Sequence, residues 1–547
     1  MTRDLERIGR DVFDLLVVGG GVYGLAAAYD AASRGLSVAL VEREDFGGRT
    51  SFNHLKTIHG GLRQLQRGDL VRMRESTRER RTFARIAPQF LVPQPFVVPT
   101  TGSPRRHRLA MRIAFAIDRA IGFDRNQGLP ASLALPPGRV LNRAALAEIA
   151  PDVHFEHVTG GALWFDYKTE ESERLTWAFA LAAARHGAVL VNQAEAVAAC
   201  REGMQITGMR VRDALTGEAR VVRARVICNA AGASVGRIIA AFGSRRTFPL
   251  VKAMNVVTRR PAWPVAIGSP TRGGRLLIAL PWHGRLAIGT SHGEEPAGAD
   301  ATYVNTPELD SFLMEINEAF PSLHLERDDV TLVHRGVVPA RIHRSRPPRL
   351  LEHSLLLDHA QDGIEGALSM VGTKYTLARL VAERAVDLTV RKLGIGPLPS
   401  RTSSRPLIDT AEGGPEGRPH GRVEPPPDDL ARLRSLYEPD AFHRLVALVT
   451  DRPELQRRLS PDAPVIGAQV LEAVRHEMAL SLEDVVLRRT SLGTTGYPGD
   501  AAVRAAAALM QEALAWSAER VEDEIDSLRR YYATPALPES DRPLTEP

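Results

Sequence analysis

The chain has 547 residues, 44% hydrophobic and 25% charged, with a formal net charge of +5. That is too long for one core and too apolar for a disordered or fibrous protein, so two to four globular units are expected. Its only cysteines, Cys200 and Cys228, lie in apolar stretches, which excludes a disulfide framework, and no Cys/His spacing suits a metal.

The N-terminus, "MTRDLERIGRDVF", is charged and lacks an apolar h-region, so no signal peptide is expected. No run approaches the ~18 apolar residues of a spanning helix. The protein therefore reads as cytoplasmic. The mild positive charge suits anionic small molecules or an anionic membrane surface, and is equally ordinary in an arginine-rich chain.

"FDLLVVGG" (13–20) is a short apolar run ending in glycine, as a buried parallel strand does. "VYGLAAAYDAASRG" (22–35) reads as a helix stopped by Gly35, and "LSVALVE" (36–42) as a second strand. Between the first strand and the helix, Gly19, Gly21 and Gly24 form G-x-G-x-x-G. Gly19 permits the tight turn, Gly21 lets backbone approach a pyrophosphate, and Gly24 permits close helix packing at a partly positive helix N-terminus. Glu42 ends the second strand, where a carboxylate accepts the hydroxyls of an adenosine ribose. FAD and NAD share this fingerprint.

"RTSFNHLKTIHGGLRQLQRGD" (49–69) follows, with hydroxyl residues, a lysine, His-Gly-Gly and an arginine. The arginine-rich segment 70–88 carries Glu75 and Glu79 for helical ion pairs and reads as a solvated face. Segment 104–123 combines Arg105, Arg106, Arg108, Arg112 and Arg119 with Leu109, Met111, Ile113, Phe115, Ile117 and Ile121. It fits a helix in the headgroup plane of a membrane, or one packed on the core with a basic outer face. Neither segment has the aromatic interleaving of a nucleic-acid surface, so no nucleic-acid partner is expected.

Strands are expected at 161–167, 188–200, 208–214, 222–232, 275–282 and 285–292. Several are consecutive, which predicts a second, largely antiparallel sheet inserted into the first unit. A Pro/Gly/Ser-rich linker spans 401–428. Helical patterns follow at 429–438, 440–451, 470–492 and 501–532, with a loose tail over 536–547. The fold class expected is α/β, a Rossmann-like domain with an inserted mixed or antiparallel substrate domain (together 10–400), plus a separate α-helical C-terminal domain (429–535).

Segment 50–63 resembles the FAD-dependent, quinone-linked glycerol-3-phosphate dehydrogenase family, whose pattern there is T-S-S-x-S-x-K-L-I-H-G-G-L-R-Y. Thr50, Ser51, Lys56, Ile58, His59, Gly60, Gly61, Leu62 and Arg63 match it. The likeness continues at 229–232, 277–295, 371–387 and 474–490, and so covers nearly the whole chain.

The resemblance implies FAD, with contacts from Gly19, Gly21, Val22, Tyr23, Gly24, Glu42, Arg43, Thr50, Ser51, Lys56, His59, Gly60, Gly61, Leu62, Val197, Ala231, Gly232, Gly372, Lys374 and Tyr375. Thr50 and Ser51 would meet the pyrophosphate, and Gly60 and Gly61 would press against the flavin ring. Gly372 would aim a helix over 374–390 at the flavin's carbonyl edge, where its dipole favours the reduced ring's negative charge. The reaction implied is oxidation of sn-glycerol 3-phosphate to dihydroxyacetone phosphate, with Arg63 and Lys374 on the anionic substrate.

Three positions depart from the family. Val338 stands where a second phosphate arginine is expected, Asn255 replaces a histidine, and Gln64 replaces a tyrosine. Losing one arginine removes a charge-assisted contact of roughly 1.5–3 kcal/mol. Arg335 and Arg341 flank the vacant position, and His59 or His292 stands in as base, so the catalytic set reads Arg63, Lys374, His59 and Asn255. The alternatives are a 2-hydroxy acid or amine as substrate, or an inactive flavoprotein that binds a partner. Beyond substrate, the partners implied are a quinone or other acceptor, a peripheral membrane contact and a homodimer.

Overall fold

A computed structural model of the chain describes residues 1–151, 157–293, 295–343, 346–409 and 429–533. Most of the expected linker, the tail over 536–547 and the Arg105 side chain lie outside the described residues.

Strand Val12–Val18 is the centre of a parallel sheet. It pairs with Val38–Val41 on one side and Ala219–Asn229 on the other. Val189–Val191 and Ala367–Val371 extend the two flanks, also in parallel. These strands are nearly continuous apolar runs because both faces are covered. Helix Val22–Ser33 lies between helices Ser172–Arg185 and Ala378–Leu393. Its Ala26, Ala27, Ala28 and Ala31 are buried, and such small side chains let three helices pack closely.

A second, ten-stranded sheet runs in the order Arg346–Leu350, Val330–His343, Leu250–Pro261, Arg285–His292, Leu276–Trp282, Ala266–Pro270, Leu91–Thr100, Gly160–Thr169, Thr57–Ile58, with Arg139–Leu141 beside Gly160–Thr169. All its pairs are antiparallel except Ala266–Pro270 with Leu91–Thr100. Helix Thr306–Ala319 covers one face, burying Leu309, Phe312 and Ile316 into a core of its own.

The last part is helical: Asp429–Leu436, Pro439–Asp451, Gly467–His476, Asp500–Leu514 and Ala518–Tyr532, with a small ribbon Arg458–Ser460/Ala463–Ile466. The fold is thus the mixed α/β class the sequence pointed to, with a separate C-terminal helical domain.

Three expected elements are broken, each by a left-handed residue. Segment 188–200 splits at Gln193 (φ 51), beside Asn192, whose buried amide donates to Asp45 and to the Met478 carbonyl. Segment 470–492 breaks at Met478 (φ 54), next to Glu477, which is drawn into a buried pair with Arg174 at 2.7 Å. Segment 501–532 turns at Ala515 (φ 53), and Ser517 caps the second helix by accepting the Arg520 N–H. Helix Leu70–Ile86, expected to be solvated, is half inside. Glu79 pairs with Arg379 at 2.8 Å, and Arg80 pairs with Asp166.

Candidate active site

The carboxyl ends of the parallel strands converge, which is where open α/β sheets take ligands. Gly19 follows the first strand with φ 110, and a Cβ there would stand 2.6 Å from the Ala230 carbonyl oxygen. A Cβ on Gly24 would overlap the Gly19 carbonyl. Both positions therefore exclude every residue but glycine. Gly21 caps helix Val22–Ser33, and the Val22 N–H donates to Ser51 Oγ at 2.9 Å. Glu42 accepts the Gly20 N–H at 2.6 Å and the Glu44 N–H at 2.9 Å, while burial pushes its pKa up.

A cleft opens over this turn. It is lined by Gly19, Gly21, Glu42, Arg43, Thr50, Ser51, Ala231 and Gly232, and by Glu195, Ala196 and Arg237. Gly232 has φ 54 and open space around its Cβ position, so backbone conformation alone favours glycine there. Arg43 pairs with Asp300 at 2.5 Å and Arg237 with Glu195 at 2.9 Å. A bare glycine turn, a helix N-terminus faced by a hydroxyl, and a buried strand-end carboxylate together fit a dinucleotide.

A cationic cluster joins two other segments. Gly61 (φ 78) starts the helical turn Leu62–Arg67, which carries Arg63. Strand Ala367–Val371 runs out through Gly372 to Lys374. Neither the Arg63 guanidinium nor the Lys374 ammonium makes a hydrogen bond or ion pair among the described residues. Arg67 is paired to Glu352 at 2.9 Å. Burial, then Arg67 and Arg63, lower the Lys374 pKa. His59 is pushed down to about 4 by burial and then by Lys374, and His292 to about 4 by burial and then by Arg275 and Arg63. The site thus holds two unpaired cations, with Glu352 acting on both from beyond bonding distance, beside two neutral imidazoles, an arrangement suited to an anion that also gives up a proton.

A family model described as FAD dependent oxidoreductase matches residues 14–388, and one described as the C-terminal domain of alpha-glycerophosphate oxidase matches 421–521. Glycerol-3-phosphate dehydrogenase 1 of Mycobacterium bovis is 30% identical, over 88% of this chain and 91% of its own. The chain belongs to the FAD-dependent glycerol-3-phosphate dehydrogenase family. A glycerol-3-phosphate dehydrogenase of Synechocystis is 28% identical over 98% of this chain and 99% of its own. A Bacillus halodurans glycerol-3-phosphate dehydrogenase solved with FAD superposes with a TM-score of 0.70 at 21% identity, covering 96% of each chain. FAD is the cofactor of this family member.

Several side chains that the family pattern assigns to the site are engaged elsewhere. Lys56 is fully buried away from the cleft. Its Nζ donates to the Phe52 carbonyl at 2.6 Å and Ser172 Oγ at 3.0 Å, between the rings of Phe52 and Trp282. Asn255 sits at an irregularity in the large sheet, donating to the Asn53 carbonyl at 3.1 Å and accepting from Thr290 Oγ1 at 2.7 Å. Both ends of its amide are thus used within the fold, and it has no titratable proton. Tyr375 stacks on His54 at 4.4 Å and bonds Thr176 at 2.9 Å. Helix Ala378–Leu393 begins only after that turn, four residues beyond the expected start.

Gly372 is small because of Tyr23, whose ring would lie 2.6 Å from a Cβ there. Gly60 is backed by the Arg80 guanidinium, and a Cβ on Gly61 would stand 2.8 Å from the Ser76 Cβ. These three glycines are thus already required by the protein's own packing. Val197 is 41% exposed, and it is Ala194, Glu195 and Ala196 before it that line the cleft. Arg335 does not replace the missing arginine at 338: it donates to the Tyr531 carbonyl at 3.0 Å and lies over that ring. Arg341 is exposed on the same strand. Leu62 opens the Arg63 turn, half-buried. Glu195 and Arg237 went unread because they reach the cleft through strand pairing and a helix start that no local pattern marks.

Proposed function

We propose that this chain oxidises sn-glycerol 3-phosphate to dihydroxyacetone phosphate with FAD, and that a quinone takes the electrons. The observation that carries this reading is the pair of unpartnered cations, Arg63 and Lys374, beside neutral His59 and His292. A free guanidinium binds a phosphate through two parallel hydrogen bonds, and an ammonium adds a second charge-assisted contact. FAD, when bound, supplies the two-electron acceptor. The alcohol proton goes to an imidazole nitrogen of His59 or His292 as the C2 hydride departs. Burial chiefly, and the nearby cations after it, keep each ring weakly basic, and seating the substrate phosphate on Arg63 and Lys374 offsets the part that those two cations contribute.

Glycerol-3-phosphate dehydrogenase relatives and the matching C-terminal domain support the substrate. Val338, which supplies no second guanidinium, favours a smaller or less charged anion such as a 2-hydroxy acid as the second reading. Anaerobic addition of glycerol 3-phosphate to the yellow holoprotein decides between them. Loss of the oxidised-flavin band supports the first reading. Loss only with a hydroxy acid or amine supports the second, and no loss with any of them leaves a binding protein.

The quinone and the cytoplasmic face of a membrane belong to this reading, and the peripheral membrane contact itself is supported by one surface. Helix Arg108–Ile121 buries only Phe115 and Asp118. Leu109 (58% exposed), Ile113 (55%) and Ile117 form an outward stripe, with Arg112 and Arg119 exposed beside it. Val71 and Phe123 are exposed nearby, where Arg74 ties the two helices by donating to the Ile121 carbonyl at 2.8 Å. An apolar stripe flanked by arginines suits an anionic bilayer interface. No helix among the described residues is long and apolar enough to cross a membrane.

A further inference from the structure

Loop Asp45–Ser51 carries Thr50 and Ser51 into the dinucleotide cleft, and it is anchored from the other end of the chain. Asp45, wholly buried, receives two arginines of the helical turn Asp484–Arg489. Arg489 grips it with both terminal nitrogens, Nη1 to Oδ2 and Nη2 to Oδ1, each at 2.8 Å. Arg488 Nε donates to Oδ2 at 2.9 Å, and Asn192 adds a bond to Oδ1 at 3.2 Å. Burial opposes the charge on Asp45, but Arg489 and Arg488 outweigh it and hold the carboxyl below its ordinary value.

The arginines are themselves fixed. Arg489 donates from Nε to the Glu477 carbonyl at 3.0 Å and lies over Trp177 at 4.1 Å, and Trp177 packs on Phe46. Arg488 runs along Gly48, where a Cβ would stand 3.4 Å from its Cδ. From Asp45 the loop is strung by main-chain bonds: Gly48 N–H to the Asp45 carbonyl at 3.2 Å, Phe52 N–H to Gly47 at 3.0 Å, and Gly47 N–H to Gly20 at 3.0 Å. The last of these joins it to the glycine turn itself. Asp45, Gly47, Gly48, Thr50 and Ser51 all line the cleft.

We infer that the C-terminal domain holds the cofactor loop in its FAD-binding shape, with Arg488 and Arg489 as positioning residues acting through Asp45. The domain thereby contributes to flavin retention without touching flavin. This rests on the assignment of that cleft to FAD, and not on the substrate. A buried pair of this kind is a poor source of net stability, but removing one partner strands the other. Its effect should therefore concentrate on the loop it fixes.

The test uses full-length protein stripped of FAD, with FAD titrated back and followed by quenching of flavin fluorescence. Asp45→Asn and Arg489→Gln are each expected to raise the Kd by about tenfold or more, the scale on which outer partners act on a bound group. The double variant is expected to be no weaker than the worse single one, because both remove one contact. Val503→Ala, in the C-terminal core, is expected to lower Tm but leave the Kd unchanged. If Arg489→Gln does not fold, Asp45→Asn carries the result, since it keeps the shape and one acceptor. Retention of wild-type Kd in the variants, additive losses in the double variant, or equal weakening by Val503→Ala overturns the inference. Failure of the wild-type protein to rebind FAD overturns the cleft assignment instead, and this inference with it.

Discussion

Tyr23 Oη donates to the Lys374 carbonyl at 2.8 Å. The same oxygen accepts the Thr373 and Lys374 N–H groups at 3.3 Å, and the ring covers Gly372. The first turn of the glycine-turn helix therefore sets the backbone at Lys374, 351 residues away. Tyr23→Phe removes the donor and keeps the ring. The 2.8 Å bond alone is worth about 0.5–1.5 kcal/mol, so its loss with the two longer ones should raise KM for glycerol 3-phosphate at least roughly two- to tenfold, with FAD content unchanged by absorbance.

Arg63→Gln and Lys374→Met each delete one unpaired cation. A charge-assisted bond to a phosphate is worth about 1.5–3 kcal/mol, so each variant should lose roughly 10- to 100-fold in kcat/KM for glycerol 3-phosphate in steady-state dye reduction. Neither should lose comparably with a neutral polyol. Equal loss for both substrates would sink the phosphate-binding role.

The pH profile follows from the shifts at the site. His59 and His292, pushed down to about 4, stay neutral through the range where free histidine titrates. The free-enzyme profile of kcat/KM should therefore show no enzyme inflection near 6.5. Any fall between pH 7 and 5 should track the second ionisation of the substrate phosphate, near ~6. On the alkaline side Lys374 loses its proton below the ordinary lysine range, and its attraction for the anion goes with it. Lys374→Arg keeps the charge and should move that limb upward. The stability sign runs the same way for both histidines: the unfolded chain takes up protons from about 6.5 downward while the folded one does not. Each therefore removes stability as pH falls from 6.5 to about 4, which His292→Asn should lessen in urea melts.

Val338 lies two residues after Gly336 on strand Val330–His343, and so on the same face. Gly336 abuts Thr50, with its Cβ position 3.2 Å from Thr50 Oγ1. Val338→Arg restores the second guanidinium of the family pattern and should lower KM for glycerol 3-phosphate by about tenfold, the worth of one charge-assisted contact. An unchanged or raised KM would mean that the valine faces something other than the phosphate.

The exposed stripe on helix Arg108–Ile121 predicts sedimentation with vesicles containing anionic lipid. Leu109→Glu with Ile113→Glu should release the protein while leaving dye-linked activity intact, because both side chains face solvent on the helix's outer side. Retention of the double variant on vesicles would remove that surface from consideration.

The glycine turn, its two strands, Glu42, Arg63 and Lys374 were legible in the chain because each belongs to a short-range pattern. Period, spacing and a backbone that admits only glycine all act between near neighbours. Those constraints were enough to reach the α/β class and a dinucleotide, while FAD and the roles of Arg63 and Lys374 came from the resemblance to the glycerol-3-phosphate dehydrogenase pattern. What Lys56, Asn255, Arg335 and Asp45 do depended on partners that sequence spacing does not name. Asn255 meets Asn53 across 202 residues, Arg335 meets Tyr531 across 196, and Asp45 meets Arg489 across 444. A buried polar group must be satisfied by whatever the fold brings beside it, and desolvation makes that partner decide whether the group binds, braces or titrates. Only the packed structure supplies the partner.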